Sequence, residues 1–233
     1  MPSTEYTLRD QERMSLARNY FAWQARMVKP HAGRRVLEVG CGLGNFTRHL
    51  ADRELVVGID VEEPLVDAWN QSFRGSGKAV AFAMSVTDAA FLDLKRYQPD
   101  TMVCLNVLEH VEDDRRALEH MHRVLPPGGR VVLIVPALES LYGPIDRNLG
   151  HYRRYSRERL HSLAVSLGFR AKTRYFNLLG CAGWWMNARI FRRTEQSESQ
   201  VRLFDRLVPF LSRAERLVGP PLGQSIFAVL DKP

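Results

Sequence analysis

Apolar residues recur along this chain in two alternating rhythms. Near the N-terminus, Leu16, Tyr20, Trp23 and Met27 fall on one helical stripe, which predicts a single helix over 9–28, stopped by Pro30 and Gly33. Short runs that are apolar throughout follow at 35–39, 55–59, 79–83, 100–105 and 130–135, with helically spaced segments at 45–51, 64–73 and 114–124 between them. Such strands belong to a parallel sheet covered by helices on both faces. Further on, 136–155 is a long irregular connection. Ser156 is a good N-cap for a helix closed by Gly168, 169–177 reads as a strand, and 179–191 as an apolar helix. The segment 192–200 is polar, 201–218 is helical up to Pro220-Pro221, and 225–230 forms a last strand. The pattern predicts an α/β fold: a doubly wound, mainly parallel seven-stranded sheet with an N-terminal helix and a helical insertion before the last strand.

The length, 233 residues, suits one domain with its own core, and such a chain buries roughly 70% of its unfolded surface without disulfides. Cys41, Cys104 and Cys181 have no metal-ligand spacing and read as small buried apolar groups in a reducing compartment. No apolar leader and no stretch long enough to cross a bilayer stand out, so the protein is expected to be cytoplasmic, with peripheral membrane contact open. The net charge of +7 is concentrated at Arg147, Arg153, Arg154, Arg157 and Arg159 and again at Arg189, Arg192 and Arg193. That surplus suits an anionic substrate, acidic lipid or nucleic acid, or is simply a solvated basic face.

Candidate chemistry starts at Glu38-Val39-Gly40-Cys41-Gly42-Leu43-Gly44. A strand ends in an acid, glycines stand at alternate positions, and a helix start is expected to follow. Glycine lets backbone approach a ligand closely, and helix N-terminal N–H groups point outward. Glu38 would welcome a cationic ligand group, so the pattern points to a positively charged adenosyl cofactor. The phosphate-binding spacing G-x-G-x-x-G is not met, which disfavours a nicotinamide cofactor. Asp60, ending the second strand, can accept both hydroxyls of a ribose or cap a helix.

With these residues the chain resembles the class I S-adenosylmethionine-dependent methyltransferases. The likeness continues through Gly58-Ile59-Asp60, Leu105-Asn106-Val107-Leu108-Glu109-His110-Val111 and Leu125-Pro126-Pro127-Gly128-Gly129, covering roughly residues 20–135. The resemblance implies that Glu38, Gly40, Gly42 and Gly44 hold the methionine ammonium and adenosyl parts and that Asp60 binds the ribose. Val61 would flank the adenine, Ser85 and Val86 would meet its edge, and Asn106 and Val107 would lie beneath the methionine. Tyr20 either closes over the cofactor carboxylate or packs in the core. The implied organisation is one domain: a cap helix in 1–33, a cofactor core in 34–135, and a substrate loop, helical insertion and last strands in 136–233.

The loop 141–155 resembles a G-x-x-D…G-H-x-R-R-Y element of one bacterial methyltransferase branch. Its candidate catalytic residues are His151 as a base, Asp146 orienting it, and Tyr142; the alternative is that they pin the loop. Arg153 and Arg154 suit an anion. Tyr155, Asn177, Trp184 and His110 complete the expected substrate side, with His110 a competing base or pocket wall, and Glu109 starts or caps a turn. Trp184-Trp185 suits an acceptor pocket, a membrane interface or the core. The basic amphipathic segment 201–218 docks on the domain, on lipid or on a second copy.

The expected activity is methyl transfer from S-adenosylmethionine to the oxygen or nitrogen of a small molecule, anionic or lipid-linked, by a monomer or homodimer, with no metal. A nucleic-acid methyltransferase is an alternative, but Asn106-Val107-Leu108-Glu109 stands where base-amino methylation needs an Asn/Asp-Pro-Pro-aromatic turn. An inactive cofactor-binding scaffold is the other.

Overall fold

The computed structural model describes residues 4–190, 195 and 197–233. Phe191, Arg192 and Arg193, the end of one expected helix and part of an arginine cluster, lie outside the described residues. Strands β1 (Arg35–Val39), β2 (Leu55–Asp60), β3 (Ala79–Ala83), β4 (Thr101–Leu105), β5 (Arg130–Pro136), β6 (Arg170–Phe176) and β7 (Ser225–Asp231) form one 7-stranded sheet in the order β3-β2-β1-β4-β5-β7-β6. The first five are parallel, and β7 runs antiparallel between β5 and β6.

Successive side chains of a strand leave by opposite faces, and each face finds a core. Leu37 joins Met102, Leu133, Leu118 and Leu160 on one side, while Val36 joins Val103, Val132, Trp23 and Trp69 on the other. Helices α2 (Arg18–Val28), α3 (Glu63–Phe73) and α8 (Glu198–Val218) cover the second face, and α4 (Asp114–Val124) and α6 (Arg157–Ser166) the first. Leu37 and Trp69 have no exposed surface, so Leu37→Ala would cost about 2–5 kcal/mol. Only β6, at the edge, alternates exposed and covered positions.

Three expectations about local structure change. The segment 9–28 is two helices, α1 (Thr4–Met14) and α2, because the chain turns at 15–17, where the Ser15 hydroxyl donates to the Glu12 carbonyl at 2.6 Å. Instead of a side-chain cap of its own, α2 receives the Asp205 carboxylate of α8, which accepts from the Tyr20 N–H at 2.9 Å, a favourable charge for a helix N-terminus. The helix expected over 45–51 shrinks to a single 3₁₀ turn, Thr47–Leu50, since Gly44 holds a left-handed φ of 77° and Thr47 is tied back to β1. The connection after β5 contains a short helix, α5 (Pro144–Asn148).

The order of strands reverses between β1 and β4, and in open α/β sheets the crevice at that switch point receives the ligand. The glycine segment leaves β1 there.

Candidate active site

Gly40, Gly42 and Gly44 have φ of 75°, 50° and 77°, a region that side chains disfavour. A Cβ on Gly40 would run into the Val107 side chain, so the bend lies flush against the chain leaving β4. The Asp60 carboxylate accepts from the Gly42 N–H at 2.9 Å and from the Glu62 N–H at 3.1 Å. Burial raises its pKa against the pull of these donors. Glu38, 3% exposed, accepts from the Thr47 hydroxyl at 2.6 Å, and that oxygen accepts from Trp69 Nε1 at 2.9 Å. Burial pushes the Glu38 carboxyl up to about 8, with Thr47 opposing and the Asp60 charge adding to the rise. A cation brought near would favour its ionised form, so a flush glycine bend beside two buried acids fits a cationic adenosyl group. Helix α1 lies over the bend: the Gln11 side chain fills the space beside Gly42, and Asn45 Nδ2 donates to the Gln11 carbonyl at 3.1 Å.

The other residues assigned to the cofactor divide. Val61 is 56% exposed beside Asp60. Asn106, also exposed, turns at the end of β4 with φ 54°. The Ser85 hydroxyl pairs with that of Thr87 at 2.8 Å. Val86 turns its side chain into the core and its carbonyl to His120 Nδ1 at 2.9 Å. Tyr20 packs its ring edge-on against Trp23 and Phe204.

The loop after β5 is built on Asp146, which is 0% exposed. Its carboxylate accepts from His151 Nδ1 at 2.9 Å, Arg154 Nε at 2.8 Å, the Gly143 N–H at 2.9 Å and Trp184 Nε1 at 3.3 Å. Burial works to raise its pKa, but the His151 hydrogen bond and the Arg154 charge hold it below the usual range. The expected acceptor-side residues are therefore largely committed within the protein. Arg154 is buried, donates to the Ala137 carbonyl at 3.0 Å and lies 4.7 Å over the Trp184 ring, so neither residue is free for an anion or an acceptor. Arg153 is paired with Asp114 at 2.9 Å and donates to the Val111 and Glu112 carbonyls. The Tyr155 hydroxyl donates to Asp114 at 2.9 Å in the core. Asn177 caps α7 (Leu178–Trp185) by accepting from the Gly180 N–H at 3.0 Å. Tyr142 donates to the His151 carbonyl at 2.7 Å, which tethers the two ends of the loop.

His151 is different. Its Nδ1 donates to Asp146, and Nε2 faces Glu109, 4.0 Å from Oε1, too far for a hydrogen bond. Glu109, read from sequence as a turn residue, is 1% exposed, and its Oε2 is buried without a hydrogen-bond partner. Burial pushes its carboxyl up to about 7, the His151 charge pulling the other way. His110 packs edge-on to His151 with ring centroids 4.6 Å apart, and burial, reinforced by the His151 charge, lowers it to about 3. The three offer ligand atoms within 4.8 Å of one another, a donor set that suits a divalent transition metal. Sequence spacing conceals this, because His151 comes from a different loop.

Residues 37–133 match the family described as Methyltransferase domain. Over 104 residues the chain is 38% identical to a ubiquinone biosynthesis O-methyltransferase of Pseudomonas aeruginosa. That match covers 44% of this chain and 44% of the relative, so the chain spans less than half of the relative's length. A Thermotoga maritima protein described as a SAM-dependent methyltransferase, possible histamine N-methyltransferase, has the same fold with TM-score 0.64, 16% identity and coverage of 97% and 95% of the two chains. Haemonchus contortus phosphoethanolamine N-methyltransferase 2, solved with S-adenosyl-L-methionine, superposes with TM-score 0.57 and 16% identity over 87% of this chain and 49% of that one. Residues 37–133 are thus similar to the S-adenosylmethionine-dependent methyltransferases as a class, and the solved members above share the fold. S-adenosylmethionine is the cofactor of that class.

Proposed function

We propose that this chain methylates a hydroxyl oxygen of a small molecule, with Glu109 as the general base. The observation that carries the reading is the buried Glu109 carboxyl, whose Oε2 has no hydrogen-bond partner and whose Oε1 lies 4.0 Å from His151 Nε2. S-adenosylmethionine, when bound, supplies a methyl group on a positively charged sulfur, an already activated electrophile. The glycine bend and Glu38 would hold its methionine and adenosyl parts, Asp60 its ribose, and Val61 would border the adenine. Little further machinery is then needed beyond alignment and exclusion of water. A neutral hydroxyl still has to lose its proton, and a carboxyl with a pKa of about 7 is matched to that task at neutral pH. His151, fixed in one tautomer by Asp146, orients the acceptor oxygen through Nε2 or shares its proton. The likeness to a ubiquinone biosynthesis O-methyltransferase supports oxygen as the acceptor atom. The arginine-rich loop adds little to a nucleic-acid reading, since Arg153 and Arg154 are paired internally.

The test is transfer of labelled methyl from S-adenosylmethionine to separate pools of phenols and alcohols, amines, and RNA. Labelling of the hydroxyl pool that falls in Glu109→Gln is the expected result. Labelling confined to amines or RNA overturns the reading, and so does cofactor binding with no transfer to any pool.

A further inference from the structure

Helix α8 has two apolar faces. One is buried: Val201 and Val208 pack inward, and Asp205 between them holds the start of α2. The other faces water. At about 100° per residue, Leu203, Leu207, Phe210 and Leu217 fall within about 40° of one line along the helix. They are 61%, 47%, 70% and 86% exposed. Periodicity alone cannot tell this stripe from a docking face, and the fold turns it outward.

The neighbouring helix extends the surface. Glu215 of α8 accepts from the Leu178 N–H that opens α7 at 2.6 Å, and Gln200 Nε2 near the other end donates to Asn187 Oδ1 at 3.2 Å. Helix α7 and its π-helical continuation, Met186–Ile190, therefore run antiparallel to α8 along one flank of the stripe. They expose Leu179, Trp185, Met186 and Ile190. Apart from Val61, Tyr152 and Val165, every exposed large apolar side chain among the described residues lies between Leu178 and Leu222.

Charge decides the occupant. The opposite flank of the stripe carries Arg202, Arg206 and Arg213, all exposed, with Arg216 further round. Of the acids of α8, Asp205 is buried and Glu215 is committed to the Asn177 and Leu178 N–H groups. That leaves Glu198, paired with Arg202 at 3.5 Å. A second copy seated on this face would bring a second arginine row and, from α8, only Glu198, already paired with its own Arg202, to meet the first. Lipid phosphates supply the missing counter-charge. No helix among the described residues is long and apolar enough to cross a membrane, so the element lies on a bilayer and does not span it.

We infer that α7 and α8 dock this protein flat on an anionic lipid bilayer. The apolar stripe enters the boundary between headgroups and acyl chains over about 21 Å of helix, and the arginine flank rests among the phosphates.

The full chain is sedimented with vesicles of phosphatidylcholine and with vesicles that also contain phosphatidylglycerol. Binding is expected to the second kind, weakened by salt, and reduced at least about tenfold in the double variant Leu203→Glu, Phe210→Glu. That variant keeps its circular dichroism and unfolding midpoint, because both side chains are already exposed. A wild-type chain that stays in solution overturns the inference, and so does binding that the variant retains. Sedimentation velocity separates one further outcome: a dimer that the variant dissociates, without vesicle binding, assigns the face to a second copy and overturns the lipid reading. Methyl transfer to a water-soluble acceptor is expected unchanged in the variant, so surface and activity stand or fall separately.

Discussion

His151 Nε2 and Glu109 Oε1 face each other across 4.0 Å, the imidazole fixed from behind by Asp146 and the carboxylate enclosed by core. That spacing is too long for a direct hydrogen bond, so the two buried groups face each other without pairing.

If Glu109 is the base, Glu109→Gln should lower turnover about 10²–10⁴-fold with cofactor affinity unchanged. The same variant has a second signature. The folded pKa of about 7 lies above the ordinary 4.5, so between those values the folded chain holds more protons than the unfolded one. Stability must then fall as pH rises through that window, and the glutamine variant should flatten the slope. Denaturant titrations at about pH 5 and about pH 8 read the difference directly.

Glu38 predicts a pH dependence of cofactor binding. In the ligand-free protein its carboxyl is neutral below about 8. A cationic ligand favours the charged form, so binding should release a proton, and affinity should climb with pH up to that value and then level off. Calorimetry in buffers of different ionisation enthalpy counts the proton. Glu38→Gln should abolish both the release and the slope.

Gly40→Ala should meet two obstacles at once. A left-handed alanine costs about 1–2 kcal/mol, and its methyl group enters the space of Val107. Adding Val107→Ala should relieve the second part and leave the first. Cofactor affinity and unfolding free energy of the single and double variants measure the split.

Asp146→Asn should destabilise by about 3–5 kcal/mol, because Arg154 is left buried beside a neutral amide. Combining it with Arg154→Met should recover part of the loss, as removal of both charges of a buried pair commonly does. Chemical denaturation of the three variants closes the cycle. His151→Gln, which leaves the Asp146–Arg154 pair in place, should reduce turnover with much less effect on stability.

The strands, the glycine bend and the acid that closes β2 are legible in sequence because each is local: a run of apolar residues, a need for positive φ, an acid at a strand end. The acceptor side is not. Arg153, Arg154 and Tyr155 read as ligands for an anion because their chemistry is visible and their partners are not. The carboxylates that engage them, Asp114 and Asp146, are recognisable only once the loop folds against α4. Glu109 is missed for the opposite reason. Its neighbours in sequence suggest a turn, and its importance lies in a partner, His151, supplied by a separate loop. The break between α1 and α2 escapes periodicity because the apolar stripe runs through it without a proline or glycine.

Asp114 sits in the first turn of α4 and receives Arg153, Tyr155 and Arg159. Main-chain bonds add to the seam: the Tyr152 N–H donates to the Glu109 carbonyl and the Tyr155 N–H to the Pro136 carbonyl, each at 2.9 Å. A stretch stitched in this way opens only when α4 and β5 open. Its amides should therefore exchange with deuterium as slowly as those of the central strands. Under the proposed function this stretch would make a floor beneath the acceptor that is rigid before any substrate arrives, and selectivity would come from its fixed shape rather than from a segment that orders on contact.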